Sequence, residues 1–467
     1  MGVSLFISTY FAYNEFMLAN LTKFKFHLLL LIIAIFGLWL RFIDYDKIPA
    51  FLETADEVMY PWAGITFLQT GTPSSWTWNP SYKNGTHITL WGANFNIVTP
   101  WIEKPPLYSL ITGLVSMLSG ENQLDKVRIS TIRLTPLILS FCSIILVGLL
   151  AKNFFGKQIA LLAAFLYATV PTIVIANRLS LAENLLTPLA LLALWMFNLE
   201  KEGRWQKLKP YLIGFVCGLS LLTRQFALVL PLTIIAILII KKEIKQAIVI
   251  SIISLIFGLT YPLIGLYYDW SLFIRLLNDF HNYYSYGMPQ GIINIFRFPM
   301  ITYKFNLFPD GSILASYLLL LTSPFIFKEK LEMLKLIFFP FAYLILISLL
   351  ETGEFTFGWH LFPIFPFLAI ILAKYLYDFW LNSTYLQALF IFLIIGFSTI
   401  RFFFLLSSQN QQSWQLLSVI LLLLFSLTVL PRNENLRKIT KTGLFIVYSI
   451  INVMVILNFN SIYPVVK

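Results

Sequence analysis

What most constrains this chain is the recurrence of apolar stretches long enough to cross a lipid bilayer. They lie near 25–43, 129–151, 157–176, 180–199, 210–223, 225–240, 246–268, 312–327, 333–350, 360–378, 385–406, 414–430 and 443–460. A helix rises about 1.5 Å per residue and the hydrocarbon core is about 30 Å thick, so one crossing takes about 20 residues. The pattern predicts an all-α polytopic membrane protein with about 13 crossings. The apolar run on either side of Arg224 is too long for one helix and divides at that residue. The stretch 107–118 follows Pro105-Pro106, is short, and reads as a helix lying at the membrane surface. Composition agrees. Charged residues are 12% of the chain and apolar residues 58%, against a usual charged share of about 25%. So few charges cannot cover a water-facing surface. Cys142 and Cys217 both sit in apolar runs and show no metal-ligand spacing.

Charge placement orients the spans. Lys23 and Lys25 precede the apolar run from His27 to Leu40, and Arg41-Phe42-Ile43-Asp44 follows with no small-residue cleavage site. This reads as an uncleaved anchor with its N-terminus in the cytoplasm. Alternate threading then puts Lys152, Lys157, Lys201, Arg204, Lys207, Lys209, Lys241, Lys242, Lys245, Lys328, Lys330, Lys335, Arg432, Arg437, Lys438 and Lys441 in cytoplasmic connections. The short connections on the other side carry little beyond Arg178, Arg224 and Arg401. That bias toward the cytoplasm accounts for the net charge of +11 without a nucleic-acid partner.

The ionisable residues outside the cytoplasmic connections gather on the opposite face. They include Asp56, Glu57, Lys104, Arg128, Arg133, Arg178, Glu183, Arg224, Glu351, Glu354 and His360. A charge at the bilayer centre costs about 2.5–3.5 kcal/mol on insertion scales, so charges collect at helix ends. Acids and cations together at one face suit a site that holds a lipid phosphate and activates a hydroxyl. Each also has a plainer role: acids at a helix N-terminus for Asp56 and Glu57, headgroup contact for the arginines, a hydrogen-bonded core side chain for His360. Two long outer connections are expected at 44–128 and 269–311. The first holds Trp62, Trp76, Trp78, Trp91 and Trp101, which suit either stacking on sugar rings or an interfacial belt.

Four motifs together carry a family resemblance. They are Ala55-Asp56-Glu57 with Tyr60, Glu103-Lys104-Pro105-Pro106-Leu107, Arg133 at the second span, and His360-Leu361-Phe362-Pro363-Ile364-Phe365-Pro366. In this order and sidedness they resemble the GT-C glycosyltransferases. The nearest branch is the bacterial aminoarabinose-transferase and Rgt-type enzymes, related to protein O-mannosyltransferases. The likeness covers about residues 25–375. It implies a GT-C fold whose first extracytoplasmic loop contains short helices. It also implies inverting transfer of a sugar from a polyprenyl phosphate to a lipid, glycan or protein acceptor outside the cytoplasm. The resemblance divides the chain into a cytoplasmic N-terminus (1–24), a transmembrane catalytic domain (25–430), and a cytoplasmic loop with the last span (431–467). It places the protein in the plasma (inner) membrane. Glu183 stands where the family commonly has Asp, and Arg224 where it commonly has Lys.

Within that resemblance Asp56 is expected to be the base, with Glu57 orienting it or the acceptor. Lys104, Arg224, Arg178 and Arg133 are expected to hold the donor phosphate. Tyr60, Glu183 and His360 are expected to line the substrate. The sequence identifies no cofactor with certainty, and a divalent metal held by Glu103 and His281 is an option without ligand spacing to support it. A transporter or lipid flippase explains the helices and basic loops equally well. Such proteins usually carry interrupted, repeated spans around a midplane site, and none is seen in the sequence.

Overall fold

A computed structural model of the chain describes residues 25–51, 54–199, 203–283, 310–326, 330–350, 358–396, 411–430 and 433–458. Five helical stretches among them are long and apolar enough to cross a membrane: Lys25–Phe42, Ile129–Thr169, Ile244–Tyr268, Gly358–Leu381 and Glu434–Leu457. Further apolar helices of 10–17 residues lie between them. We number the helices α1 (Lys25–Phe42), α2 (Asp56–Thr70), α3 (Leu107–Leu118), α4 (Ile129–Ile132), α5 (Leu134–Thr169), α6 (Pro171–Ala176), α7 (Glu183–Phe197), α8 (Arg204–Leu221) and α9 (Val229–Ile240). They continue as α10 (Ile244–Tyr268), α11 (Trp270–Tyr283), α12 (Gly311–Ile326), α13 (Lys330–Leu350), α14 (Phe365–Leu381), α15 (Tyr385–Phe390), α16 (Gln411–Leu427) and α17 (Glu434–Leu457). Helix α5 packs against α7 and α14, α7 against α8, and α8 against α10. Outward-facing leucines and isoleucines of α10, such as Ile252, Leu255, Ile256 and Leu263, are exposed, as lipid-facing side chains must be.

Several breaks in the sequence pattern are breaks in the chain. Helix α8 ends at Leu221, Arg224 is extended (φ −153°, ψ 143°), and a single turn at Gln225–Leu228 leads into α9. The expected spans 129–151 and 157–176 meet at Gly156, whose φ of 79° lies in the left-handed region that glycine enters without a Cβ clash. Helix α15 passes into a wide turn over Ile391–Gly396, and the rest of the expected span 385–406 lies outside the described residues. So do Glu351 and Glu354.

The first outer loop holds the short helices expected there and adds a small sheet to the helical fold. Besides α2, α3 and α4 it holds a three-stranded antiparallel sheet in the order β1-β3-β2: β1 (Ser75–Trp76), β2 (Thr86–Leu90) and β3 (Ala93–Val98). Strands β2 and β3 pair from Thr86 with Ile97 to Leu90 with Ala93. The hairpin turns through Trp91 and Gly92, both at positive φ. Alternation of apolar and polar residues over 86–98 is a strand signal of period two. Over so short a run beside long apolar spans it is easily missed. The second outer connection also differs, because α11 occupies Trp270–Tyr283 where a loop was expected.

The loop tryptophans have mostly a packing role. Trp62 is fully buried, lies 5.9 Å from Trp91 in a stacked arrangement, and meets Phe95 edge-on at 5.1 Å. Trp62 Nε1 donates to Leu124 O and Trp76 Nε1 to Ala55 O, both at 2.9 Å. These rings form the core that holds the sheet on α2. Trp78 and Trp91 are exposed.

Helices α2 and α3 cross at a glycine pair. A Cβ on Gly64 would come within 1.9 Å of Ser109 O, and one on Gly113 within 2.5 Å of Gly64 C. The backbones therefore touch at a separation no side chain permits. This contact sets α2, with its first-turn acids, against the segment that carries Lys104. Gly64→Val is expected to destabilise the protein by at least about 1–3 kcal/mol through overpacking. Thermal unfolding in detergent checks this, and an unchanged midpoint would show the helices free to separate.

Candidate active site

One end of the bundle collects three ion pairs. Glu57 and Arg133 form the most buried of them, their side chains 1% and 0% exposed. Arg133 donates to Glu57 through Nε at 2.9 Å and Nη2 at 2.6 Å, the paired geometry that suits guanidinium and carboxylate. Its Nη1 donates to Tyr45 O and Pro49 O, each at 2.8 Å. Ser180 N donates to Glu57 Oε1 at 2.8 Å. One ion pair thus ties α2, the start of α5, the chain after α1 and the loop before α7.

The second pair is more open. Lys104 Nζ donates to Asp56 Oδ2 at 2.9 Å, with side chains 8% and 17% exposed. The same ammonium lies 5.2 Å over the Tyr60 ring. Burial works against the Lys104 charge, but Asp56 outweighs it and holds the lysine above its usual range. The Lys104 segment is itself held from behind. Tyr261 Oη donates to Glu103 O at 2.7 Å and Ile102 O at 3.1 Å, and Gln225 Nε2 donates to Glu103 O at 3.2 Å. Leu107 N donates to Leu222 O at 3.0 Å.

The third pair is a triad. Arg224 reaches Glu183 Oε1 through Nε at 2.7 Å and lies 2.5 Å from His360 Nε2 through Nη2. A guanidinium has only donors, so Nε2 accepts and the imidazole proton sits on Nδ1. Burial opposes the Arg224 charge, and Glu183, with Tyr60, Asp56 and Tyr343, outweighs it and raises its proton affinity. Tyr60 stands between the second and third pairs, close enough to feel Lys104, Arg224, Glu183 and Asp56. Tyr343 on α13 is likewise close to Glu183 and Arg224. Tyr60 Oη, Tyr343 Oη and Glu183 Oε2 are buried and find no hydrogen-bond partner among the described residues. A small apolar recess of about 30 Å³ lies beside Lys104, between Phe67, Leu110, Trp101 and Ile264.

Asp56, Tyr60, Lys104, Glu183, Arg224 and His360 are therefore brought together. Three expected residues are not. Glu57 turns to Arg133 rather than to Asp56, because adjacent helical residues do not share a face. Arg133 is sealed, with its donors taken by Glu57 and two carbonyls. Arg178 is fully buried, donating to Leu40 O at 3.0 Å and Ile48 O at 3.5 Å. Burial, with Arg41 and Arg133 nearby, lowers its proton affinity to a pKa of about 9. These three side chains brace the fold. Tyr261, Gln225 and Tyr343 are site-forming residues that the sequence reading missed. Each is a polar side chain in or beside an apolar span, which is the one signal available for them.

Glu103 is buried and accepts a hydrogen bond from Thr77 Oγ1. His281 lies on α11, and its side chain is outside the described residues. Among the described residues no three His, Cys, Asp or Glu side chains gather as metal ligands would.

Two tests follow from these environments. Arg133→Met strands a buried carboxylate and is expected to cost about 3–5 kcal/mol. The double variant Glu57→Gln/Arg133→Met should lose less, and thermal unfolding of the two side by side checks it. Burial raises the Glu103 pKa from 4.5 to about 7, with Thr77 and Lys104 opposing. The folded state then binds more protons than the unfolded chain between those two values, so stability falls as pH rises through that window. The loss is roughly 3 kcal/mol. Glu103→Gln should flatten it in melts between pH 5 and 8; parallel slopes would show that Glu103 does not titrate there.

Comparison with known proteins bears on the fold. The family model of dolichyl-phosphate-mannose-protein mannosyltransferase matches residues 103–266, which include Lys104, Glu183 and Arg224. No curated protein sequence matches the chain. The chain is similar in structure to ArnT from Cupriavidus metallidurans bound to undecaprenyl phosphate. The TM-score is 0.56 at 12% identity, over 93% of this chain and 77% of that one. For the same protein in the apo state the TM-score is 0.50 at 12% identity, over 86% and 72%. For the archaeal oligosaccharyltransferase AglB from Archaeoglobus fulgidus it is 0.49 at 13% identity, over 92% and 56%. The chain is a multi-pass membrane protein of the GT-C fold, and the stretch that matches the mannosyltransferase model, residues 103–266, runs through its candidate site.

Proposed function

We propose that this protein is an inverting glycosyltransferase that moves a sugar from a polyprenyl-phosphate donor to an acceptor hydroxyl on the non-cytoplasmic side of the plasma (inner) membrane. The observation that carries the reading is the Asp56–Lys104 pair, partly open and within electrostatic reach of Arg224. It sets a carboxylate and two cations around one point at a helix-bundle end. A relative of the same fold is described with undecaprenyl phosphate bound, which supports a lipid phosphate here.

In the proposed step the acceptor O–H gives its proton to Asp56. Its oxygen bonds to the anomeric carbon from the face opposite the phosphate. The bond from that carbon to the phosphate oxygen breaks, and the electron pair leaves on polyprenyl phosphate. A positioned base contributes about 10²–10⁴-fold to such a step. Lys104 leaves Asp56 for the donor phosphate, which frees the carboxylate as a base at the moment the donor is bound. Arg224, held by Glu183, meets the growing charge on the leaving oxygens. Tyr60, Tyr343 and Glu183 Oε2 offer polar atoms to the sugar hydroxyls, and His360 fixes Arg224. The recess beside Lys104 is the start of the path for the lipid tail.

Proteoliposomes loaded with polyprenyl-phosphate pentoses and hexoses and a cell-envelope acceptor extract test the reading. Mass spectrometry should find free polyprenyl phosphate and one new glycosidic product. Asp56→Asn should cut the rate at least 10²-fold while donor binding persists. Wild-type turnover in that variant would remove Asp56 from the role of base. No released polyprenyl phosphate with any donor would overturn the reading itself.

A further inference from the structure

The end of α14 away from the candidate site borders a second feature. The helix starts beside His360 and runs from Phe365 to Leu381, a rise of about 25 Å. At its far end a cavity of about 390 Å³ opens among Leu376 and Phe379 of α14, Ile395, Phe425 of α16 and Phe445 of α17. At about 30 Å³ for each water-sized group, it has space for about a dozen such groups, the scale of an acyl chain. Val447 lines it and is 48% exposed, so the cavity is reached sideways from lipid.

One cation lines it and a second lies one turn earlier on the same helix. Lys441 lines the wall, is buried, and donates to Trp380 O at 3.0 Å, with its ammonium 5.4 Å over the Phe379 ring. An ammonium has three donors. One turn earlier, Arg437 Nε is buried without a hydrogen-bond partner among the described residues. The acids at this end are engaged elsewhere: Glu434 with Lys438 at 2.6 Å and Asp378 with Lys374 at 2.5 Å. Arg437 and Lys441 make no ion pair among the described residues, although both lie near enough to Glu434 to share its field. Thr442 adds a hydroxyl to the lining.

An apolar slot with Lys441 in its wall, Arg437 one turn away on the same helix, and no acid paired with either among the described residues matches one kind of molecule available in a bilayer. We propose that this cavity binds a single anionic phospholipid, with one acyl chain in the slot and the phosphate on Arg437 and Lys441. Basic pockets between transmembrane helices recognise headgroups in this way. A zwitterionic lipid brings its own cation toward Arg437 and Lys441 and gains less. The site lies at the membrane face opposite the glycosyl-transfer centre and is independent of that chemistry.

Native mass spectrometry of the full-length protein tests it, after equilibration in mild detergent with equal phosphatidylglycerol and phosphatidylcholine. One phosphatidylglycerol should be retained at least tenfold over phosphatidylcholine. Arg437→Gln/Lys441→Gln should weaken its retention about 30-fold. Val447→Trp keeps both cations but fills the slot, and should also lose the lipid. Equal retention of the two lipids by the wild type would overturn the proposal. So would undiminished phosphatidylglycerol on either variant.

Discussion

A charge taken out of water must find its opposite nearby, and the Glu57–Arg133 pair is where this chain meets that demand most completely. Both side chains are effectively without solvent. Separately each would carry a desolvation penalty of several kcal/mol, and the attraction offsets this only if the geometry is good and the leftover donors and acceptors are filled. Here they are filled by Tyr45 O, Pro49 O and Ser180 N. The pair therefore forms only when the first outer loop sits on the bundle in one register. Arg41 repeats the solution without an acid. Its guanidinium bonds Asn177 Oδ1 and the carbonyls of Gly37, Tyr167 and Ala168, joining α1 to α5 and to the chain before α7.

That register positions the chemistry. Once α2 is fixed by Glu57, the next-door Asp56 points in another direction, toward the Lys104 segment that lies against α2 across the Gly64–Gly113 contact. The two neighbouring acids become one half of a sealed ion pair and one half of a partly open one. The difference is exposure: the Asp56–Lys104 pair keeps some contact with solvent, and the Glu57–Arg133 pair keeps none. An ion pair that can be opened by an incoming phosphate is useful for binding and transfer. A sealed one is useful for shape. The Glu183–Arg224–His360 triad combines both, since Arg224 is anchored at one nitrogen and shared at another.

The sheet of the outer loop has a place in this economy of contacts. Its inward residues, with Trp62 and Trp76, give α2 a hydrophobic backing on the side away from the membrane helices. Helix α2 is thus held between an aromatic core above and a buried ion pair below. At the bundle's other end, the α14–α17 junction among the described residues is joined by Lys441 donating to Trp380 O rather than by a buried ion pair. A cavity lies beside that junction, and Arg437 and Lys441 have no acid partner among the described residues.

Much of this was legible in the chain itself. Apolar runs of bilayer length, lysine-rich connections on alternate sides and the break at Arg224 follow from the cost of exposing polar groups to hydrocarbon, which acts on each segment locally. The gathering of Asp56, Lys104, Glu183, Arg224 and His360 at one end followed from threading alone, because helix ends can lie at only two levels. Which of those charges face a cavity and which are locked away was decided by tertiary structure. Arg133 and Arg224 look alike in sequence, each a lone arginine at a span boundary. Only packing shows that one is saturated by Glu57 and two carbonyls and the other is open toward Tyr60 and Tyr343. Hydropathy records the depth of a residue in the membrane. Direction around the helix axis, and hence the partner met, depends on contacts between segments 40 to more than 100 residues apart in the chain, which no local pattern encodes.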